Sequence, residues 1–555
     1  MTHQSEYQLE NELLEQLNKL GYGRVELEDT KSLISNLKTQ LEKFNETTFS
    51  DREFEKILNH LNKGDRYQKA KTLRDRFALA RDDNSTFFIR FFNTDKWCKN
   101  EYQVVNQITQ IGERENRYDV TLLINGLPLV QIELKRRGVE MKEAFNQIQR
   151  YQRNTFTGTL FEYVQIFVIS NGVNTKYFSN NPRQTFEQTF FWTDENNSKI
   201  TKLSEFAEKF LEKCFVSGMI TEYTVLAEAR QIPMILRPYQ YYAVRAIEKR
   251  VLESNKNGYI WHTTGSGKTL TSFKVSQILS KLPEVKKVLF VVDRKDLDIQ
   301  TTKEFNSFSD GSVDGTDNTR NLVNQLKDKK RKLIVTTIQK LDVAITKEKY
   351  LNQFEYLKNE KVVVIFDECH RSQFGLTHAR IKNFFNNVQL FGFTGTPIFA
   401  RNNIGGVTTF DVFGECLHKY IITNAIEDNN VLGFAVEYVG RYKQKYPDTL
   451  YMDNFAEAFI EGIDTKEILE SDDRVEKITD YILYDWKRKT KNGKFNAIFA
   501  ISNIEVLKKY YRQFLKKKAE SFKIATIFTF SANEENDLLD VDVLAEAEKT
   551  NINID

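Results

Sequence analysis

Residues 258–269 read GYIWHTTGSGKT, an apolar start followed by a glycine-rich segment. The apolar start predicts a buried strand, and the segment after it predicts a tight loop that opens a helix. Gly265 and Gly267 allow backbone N–H groups to approach phosphate oxygens at the helix N-terminus. Lys268 would then reach the terminal phosphates, and Thr269 would hold Mg²⁺. The stretch therefore predicts a site for a nucleoside triphosphate, which we take to be ATP.

The loop departs from its usual form at one position, because His262 stands where a first glycine is common. The two inner glycines form the part of the loop that surrounds the phosphates, so a histidine at position 262 is compatible with phosphate binding. Thr264 and Ser266 supply the remaining ATP-binding positions. The alternative interpretation is a glycine-rich turn that binds no ligand.

Short apolar runs surround this loop, and each is followed by a segment of helical length. Such runs are typical of parallel strands that are buried on both faces of a sheet. They predict an α/β fold with a parallel sheet, whose strands cover residues 258–261, 287–292, 332–336, 362–366 and 390–393.

Two carboxylates emerge where the fourth of these runs ends, in the stretch VVVIFDECH. Ligands of open α/β sheets bind at this end of the strands. Asp367 would complete the Mg²⁺ sphere, and Glu368 would orient and deprotonate the attacking water. A lone Asp-Glu pair is more often a solvated turn, but its position at the end of an apolar strand favours the catalytic interpretation.

Residues 393–397 read FTGTP, again directly after a strand. The order and spacing of these motifs resemble helicase superfamily 2. The resemblance implies that His370 contacts Thr394 or Thr396 and so couples the nucleotide state to the grip on nucleic acid. It also implies an adenine-reading element in the stretch LRPYQ upstream of the phosphate loop, where the amide of Gln240 would pair with the adenine edge.

A second set of candidate residues lies earlier in the chain, in the stretches NRYD and QIELK. They resemble the P-D-x(n)-[DE]-x-K motif of metal-dependent nucleases, with Tyr118 in place of the proline. Asp119 and Glu133 would bind Mg²⁺, and Lys135 would lie beside the attacking water. The alternative is an amphipathic hairpin with a solvated polar face.

Strand alternation predicts the register of this hairpin. Asp119 must face Glu133 and Thr121 must face Gln131, because a one-residue slip would bury the charges. A two-residue turn at Asn125 and the glycine after it gives the opposite parity. We therefore predict a three-residue loop or a β-bulge between the two strands.

Two neighbouring features favour the nuclease interpretation. Arg136 and Arg137 follow the strand and are natural phosphate contacts. Gln147 and Tyr151 share one face of the next helix, and they match the Q-x-x-x-Y element that supports the active site or the DNA backbone in RecB-like nucleases. An acid on the first helix sometimes joins the site in this fold, but for Glu10 a helix-surface position is the favoured interpretation.

The composition of the 555 residues indicates a folded protein of several domains. Apolar residues make up 40% and charged residues 28%, which excludes a disordered or fibrous chain. Lys+Arg 80 and Asp+Glu 77 nearly balance, so any DNA-binding surface must be local. The four cysteines lie far apart, which excludes a disulfide scaffold and a cysteine zinc site and is typical of a reducing compartment. No apolar run approaches the roughly 18 residues of a membrane span, so we expect a cytoplasmic protein with no membrane contact.

A P-D-x(n)-[DE]-x-K module followed by a superfamily 2 motor is the order found in the restriction (R, motor) subunit of type I restriction-modification enzymes. The chain resembles this family over nearly its whole length. The resemblance implies an endonuclease domain with a mixed sheet over residues 1–230, a RecA-like helicase lobe with the ATP site over 231–425, and a partial second RecA-like lobe over 426–555. It further implies an ATP-dependent translocase of double-stranded DNA and a Mg²⁺-dependent endonuclease. Such an enzyme works with methyltransferase and specificity subunits and cuts away from the recognition site.

The second lobe is expected to be incomplete. Residues 495–501 and 523–530 look like its opening strands, and the last arginine is Arg512. An arginine finger contributes about 10³–10⁵ in rate, and no element resembling one follows. We therefore expect an N-terminal fragment or truncated product that binds ATP but hydrolyses it poorly. Two alternatives stay open: a stand-alone superfamily 2 helicase with an accessory N-terminal domain, and a non-catalytic fragment that binds DNA or partners.

Overall fold

The computed structural model describes residues 5–111, 115–292, 295–308, 318–367, 374–400, 407–437, 470–501, 503–517 and 523–527. The chain divides into two compact units, Met1–Val436 and Glu437–Asp555. The first unit contains two six-stranded sheets, and each sheet carries one set of predicted site residues. The domain boundary between these sheets, near residue 230, stays a prediction.

The first sheet is preceded by helices and followed by short strands that connect it to the second sheet. The elements of this region are α1 (Glu6–Lys19), β1 (Gly23–Arg24), α2 (Thr30–Asn45), α3 (Asp51–Leu61), α4 (Arg66–Thr72), β2 (Arg76–Ala80), β3 (Thr86–Arg90), β4 (Tyr102–Ile111), β5 (Glu115–Ile124), β6 (Leu127–Leu134), α5 (Met141–Asn154), β7 (Ile166–Ser170), β8 (Thr175–Ser179), β9 (Trp192–Thr193), β10 (Lys199–Ile200), α6 (Leu203–Phe210), α7 (Lys213–Thr221), β11 (Thr224–Ala227) and β12 (Ile232–Ile235).

The first sheet is mixed, as expected, with the strand order β1-β4-β5-β6-β7-β8. The pairs β4–β5, β5–β6 and β7–β8 are antiparallel, whereas β1–β4 and β6–β7 are parallel. Strand β6 is buried at every position, and both α1 and α5 pack against it. The polar side chains of β6 are therefore enclosed by helices rather than solvated, which argues against the open amphipathic hairpin.

The second sheet is entirely parallel, with the order β15-β14-β16-β17-β13-β18. It confirms the strands predicted from the five apolar runs. Because β17 lies between β13 and β16, the C-terminal ends of these three strands meet at one edge of the sheet. The elements of this region are α8 (Pro238–Glu253), β13 (Gly258–His262), α9 (Lys268–Lys281), β14 (Lys287–Val292), α10 (Lys295–Phe308), α11 (Thr319–Lys327), β15 (Leu333–Thr337), α12 (Ile338–Thr346), α13 (Glu348–Leu351), β16 (Val362–Asp367), α14 (Phe374–Phe384), β17 (Val388–Thr394), α15 (Thr409–Phe413), β18 (Cys416–Tyr420) and α16 (Ile422–Glu427).

The second unit contains two described helices, α17 (Asp472–Lys489) and α18 (Ile504–Lys517), which pack against each other. The predicted strands of this region are wrong where the structure describes them, because residues 495–501 and 523–527 adopt no strand. Residues 528–530 of the second predicted strand lie outside the described residues. An apolar run becomes a strand only when a neighbour accepts its backbone hydrogen bonds, and no described segment of this unit supplies one. The side chain of Ile498 is accordingly 98% exposed.

Cys98 and Cys214 form a disulfide that the spacing of the cysteines did not indicate. They are 116 residues apart in sequence, but their Cα atoms are 4.8 Å apart because the turn after Lys96 packs on α7. Cysteine usage therefore no longer argues for a reducing compartment. Within the described part of the chain, no helix combines the length and the apolar character needed to cross a bilayer.

Candidate active sites

The β5–β6 hairpin has the register that strand alternation predicts. Val120 lies opposite Ile132, and Thr121 lies opposite Gln131, to whose side-chain oxygen it donates a hydrogen bond of 2.7 Å. Asp119 follows on the same face as Thr121. The hairpin therefore brings the two predicted acidic residues to the same face of the sheet.

A bulge reconciles this register with the turn. The turn has two residues, Asn125 and Gly126, both with left-handed backbones (φ 52° and 83°). This is the geometry that asparagine and glycine favour in a type I′ hairpin. The pairing then shifts between Leu122 and Leu123, so the predicted β-bulge is confirmed.

The carboxyl groups of Asp119 and Glu133 are both withdrawn from water, with 9% and 0% of each residue exposed. The backbone N–H of Leu134 donates to Asp119 Oδ2 at 2.7 Å. The ammonium of Lys135 lies 3.1 Å from Glu133 Oε1 and also donates to the Leu134 carbonyl at 2.8 Å. All three predicted nuclease residues thus converge around the backbone of Leu134 in β6.

Burial makes the negative charge of this pair costly. It raises the pKa of Asp119 to about 6, although the hydrogen bond from Leu134 works in the opposite direction. It also raises the pKa of Glu133 well above its ordinary value, and repulsion from Asp119 adds to the effect. Burial alone would lower the pKa of Lys135, but attraction to Glu133 and Asp119 outweighs it, and that pKa is raised. Lys135 therefore stays positively charged.

The donor set fits a divalent cation. Glu133 Oε2 is buried and has no hydrogen-bond partner among the residues that the structure describes, and both carboxyl groups would regain their ordinary acidity beside a positive ion. Among the described residues, no group of three or more His, Cys, Asp or Glu side chains is arranged to hold a metal. Two carboxylates with the remaining positions filled by water are nevertheless a common way to hold Mg²⁺.

Glu10 belongs to this region, which corrects the helix-surface interpretation. It is 3% exposed, accepts a 2.6 Å hydrogen bond from Asn106, and also accepts one from Gln107. It lines an open cleft of about 670 Å³ together with Asp119. A helical wheel would have found it, because at about 100° per residue Glu10 falls inside the arc of the buried leucines of α1, namely Leu9, Leu13, Leu14 and Leu17.

Gln107 is the residue of this site that sequence patterns did not reveal. Its φ of 58° is left-handed in the middle of β4, directly across from Asp119. Such a backbone is unfavourable for a residue with a side chain and is concentrated at functional sites. Here it turns the Gln107 amide toward Glu10.

Two of the other predicted nuclease residues, Gln147 and Tyr151, lie beside the nuclease site. The other two, Arg136 and Arg137, lie on the surface. Gln147 donates to the hydroxyl of Tyr151, and this hydroxyl donates to the carbonyl of Arg117 at 3.3 Å. Burial and the nearby Glu133 carboxyl raise the pKa of Tyr151. Arg136 and Arg137 are exposed, where phosphate groups could reach them.

The phosphate loop has the predicted geometry. It begins after β13, and Gly265 and Gly267 have left-handed backbones (φ 82° and 78°). Lys268 is the first residue of α9, so the loop ends at a helix N-terminus. Thr264 is exposed, whereas the Ser266 hydroxyl is buried and donates to the Thr263 carbonyl at 2.7 Å. Backbone N–H groups and the positive end of the helix dipole are thus available to phosphate.

The side chain of Gln240 contacts the backbone of this loop and does not line an open pocket for the adenine base. Its amide nitrogen donates to the carbonyls of Ser266 at 3.2 Å and Gly267 at 3.4 Å, and its oxygen accepts from the Arg237 N–H at 3.0 Å. Tyr239 donates to the same Ser266 carbonyl at 2.7 Å. In this geometry Gln240 holds the phosphate loop, while its adenine-reading role stays a prediction.

The other predicted ATP-site residues lie at the same edge of the second sheet. Asp367 ends β16 opposite Phe393, and Thr394 ends β17 opposite Trp261 of the phosphate-loop strand. The N–H of Thr396 donates to the Thr394 hydroxyl at 3.1 Å. Glu368 and His370 lie outside the described residues.

Family models match three parts of the chain. Residues 239–469 match the SWI2/SNF2 ATPase model, residues 3–186 match the type I restriction enzyme R protein N terminus, and residues 493–554 match type I restriction enzyme subunit R domain 3. The EcoprrI endonuclease subunit of a type I restriction enzyme from Escherichia coli is 36% identical over 264 residues, which are 46% of this chain and 84% of that protein. The chain belongs to the R-subunit family of type I restriction enzymes.

The chain spans about three fifths of the length of the Staphylococcus relatives that it matches. An endonuclease subunit of a type I restriction enzyme from Staphylococcus aureus is 49% identical over 97% of this chain, but the match spans 58% of that protein. A solved structure of a nuclease-deletion mutant of the type ISP restriction-modification enzyme LlaGI, in complex with a DNA substrate mimic, is 17% identical. That match covers 51% of this chain and 26% of the other, with a TM-score of 0.29.

The structure explains why a histidine fits at position 262, where a glycine is common. His262 is the last residue of β13, is fully buried, and lies 2.9 Å from a ring nitrogen of His418 through its Nε2 atom. Burial lowers the pKa of both imidazoles, that of His418 to about 4, so the pair stays neutral at physiological pH. Position 262 therefore belongs to strand β13. The left-handed backbone of the phosphate loop is at Gly265 and Gly267.

Proposed function

We propose that this chain carries the Mg²⁺-dependent nuclease site and the ATP-binding lobe of an R subunit. The whole enzyme would use ATP to translocate double-stranded DNA and would cut it away from the recognition site. Its partners would be the methyltransferase and specificity subunits of the same system. Family membership supports this assignment, and the two sites within Met1–Val436 supply residues for both reactions.

The observation that carries the nuclease proposal is the buried pair of carboxyl groups beside a charged lysine. Asp119 and Glu133 would hold the cation, which fits the unpartnered Glu133 Oε2. When bound, a divalent cation would act as a Lewis acid and make water a stronger nucleophile. Lys135, which stays protonated, would stabilise the negative charge that develops on the phosphate in the transition state.

The ATP proposal rests on the loop between β13 and α9. Its backbone N–H groups would bind the phosphates, Lys268 would neutralise the terminal ones, and Thr269 with Asp367 would hold the nucleotide-bound Mg²⁺. Glu368 would orient the attacking water, and His370 would couple the site to Thr394 or Thr396. The last two assignments follow the motif resemblance.

The two sites can be separated by substitutions in a full-length R subunit that is assembled with the other subunits of its own system. Asp119→Ala and Lys135→Ala are expected to abolish DNA cleavage while DNA-stimulated ATP hydrolysis continues. Lys268→Ala is expected to abolish ATP hydrolysis and, with it, cleavage. Lys209→Ala, an exposed lysine on α6, is the matched control. Cleavage that persists in Asp119→Ala would refute the nuclease assignment.

A further inference from the structure

Helix α5 has a second polar face, beside the edge that carries Gln147 and Tyr151. At about 100° per residue, five side chains fall within an arc of about 100° that excludes this edge. All five are cations or amides, namely Lys142, Asn146, Gln149, Arg150 and Arg153. None of them belongs to the buried face with which α5 packs on the sheet.

These five side chains line one wall of an open groove of about 620 Å³. The segment Gln184–Glu187 forms the facing wall. A second hollow of about 360 Å³ shares Lys142 and Phe186 with it and reaches Gly138, next to the exposed Arg136 and Arg137. We call the surface formed by Lys142, Asn146, Gln149, Arg150 and Arg153 the α5 groove.

The α5 groove and its facing wall carry a net positive charge, with three cations against one carboxylate. Lys142, Arg150 and Arg153 are exposed, and none of them forms an ion pair with a carboxylate of the described residues. The one acid on the facing wall is Glu187, whose pKa is lowered mainly by its own local hydrogen bonds and to a smaller extent by Lys142. In a chain whose charges nearly cancel, such a cluster favours an anionic ligand.

The groove adjoins the nuclease site across the width of a single helix. Tyr151, on the neighbouring edge of α5, hydrogen-bonds to the backbone of β5 two residues before Asp119. Lys142 and Arg153 are separated by about 16 Å along the helix, the length of several phosphates on one DNA strand. This arrangement favours a duplex that has one phosphate at Asp119 and Glu133 and neighbouring phosphates on the other side of α5.

We propose that the α5 groove binds the phosphate backbone of double-stranded DNA beside the cut. Lys142, Arg150 and Arg153 pair with phosphates, and the amides of Asn146 and Gln149 donate to phosphate or sugar oxygens, so the contact is independent of base sequence. The proposal rests on the nuclease function and adds the surface that positions its substrate.

The test compares K142Q/R150Q/R153Q with K31Q/R52Q/K63Q, which removes the same charge from exposed residues of α2, α3 and the turn after α3. Binding of a 30-base-pair duplex is measured by fluorescence anisotropy at several salt concentrations, with EDTA and without ATP. The groove variant is expected to bind at least tenfold more weakly, with a salt slope reduced by about 2 to 3, because each lost phosphate contact removes about 0.9 from that slope. The control variant is expected to match the wild type.

Equal affinity and slope in the groove variant would overturn the proposal, and so would a wild-type chain that does not bind the duplex. Loss of partner subunits from the groove variant with DNA binding retained would overturn it in favour of a protein surface. A matching melting temperature and circular dichroism spectrum exclude unfolding, and N146A/Q149A, with its charge intact, is expected to weaken binding less. A separate measurement tests the nuclease assignment itself, because cleavage that persists in Asp119→Ala would refute that assignment.

Discussion

Replacing Asp119 with asparagine should stabilise the protein at neutral pH when no metal is present. The pKa of this buried carboxyl is about 6, against an ordinary value of 3.8. The difference corresponds to about 3 kcal/mol of unfavourable free energy when the group is ionised. Because the residue is 9% exposed, solvent screening removes little of this penalty.

Proton linkage determines whether the stability of the protein rises or falls with pH. A carboxyl whose pKa is raised by folding binds protons more tightly in the folded state, so stability is lost as the pH rises from about 4 to about 6. The asparagine introduced by Asp119→Asn would keep an acceptor for the Leu134 N–H without the charge. The stabilisation by this substitution should therefore be small at pH 4.5 and near its maximum at pH 7.5.

Differential scanning fluorimetry in EDTA measures this effect. For the nuclease domain predicted over residues 1–230, about 2–4 °C per kcal/mol is expected, so the melting temperature of its unfolding transition should rise by roughly 6–12 °C at pH 7.5. Asp83→Asn is the control, because hydrogen bonds from Ser85 lower the pKa of that exposed carboxyl and its replacement should not stabilise. Addition of Mg²⁺ should raise the melting temperature of the wild type and leave that of Asp119→Asn nearly unchanged. Equal melting temperatures of Asp119→Asn and the wild type at pH 7.5 in EDTA would refute the reasoning.

Three further predictions follow from the same contacts. Gln240→Ala should weaken the binding of fluorescent ATP and GTP analogues equally, by about tenfold, because it loosens the phosphate loop; a loss confined to ATP would instead support adenine reading. Gly267→Ala should weaken nucleotide binding, since the new Cβ would lie 2.8 Å from the Gln240 amide and displace it from the loop, whereas Gly138→Ala, with a left-handed backbone but open space, should retain it. Glu10→Ala should lower the free energy of unfolding by about 1–3 kcal/mol in urea titrations, because two amides lose their acceptor, whereas exposed Glu12→Ala should change it by less than about 0.5 kcal/mol.

The sequence predicted the parts of the fold that depend on local pattern. Apolar runs such as 287–292 and 362–366 became parallel strands because both their faces are buried. The alternation in the β5–β6 hairpin was enough to predict its register and to narrow the connection to a three-residue loop or a β-bulge, of which the structure has the bulge. In the hairpin, one face of each strand had to avoid burying charge without a partner, which leaves few possible registers.

The errors concern features that depend on distant parts of the chain. Residues 495–501 have an apolar pattern, but a strand also needs a neighbour. The amide of Gln240 donates hydrogen bonds to the phosphate-loop backbone, and Gln107, with its left-handed backbone, donates to Glu10, which is 97 residues away in the sequence. Periodicity does not encode these contacts, although a helical wheel of α1 would have placed Glu10 among the buried residues.

The central claim is that Asp119 and Glu133 form a cation site that is distinct from the ATP site. Mn²⁺ titration followed by electron paramagnetic resonance tests it directly, with no nucleotide present. We expect the wild type to bind Mn²⁺, Glu133→Ala to lose this binding, and Asp367→Ala to retain it. Binding that is unchanged in Glu133→Ala, or lost only in Asp367→Ala, would contradict the account.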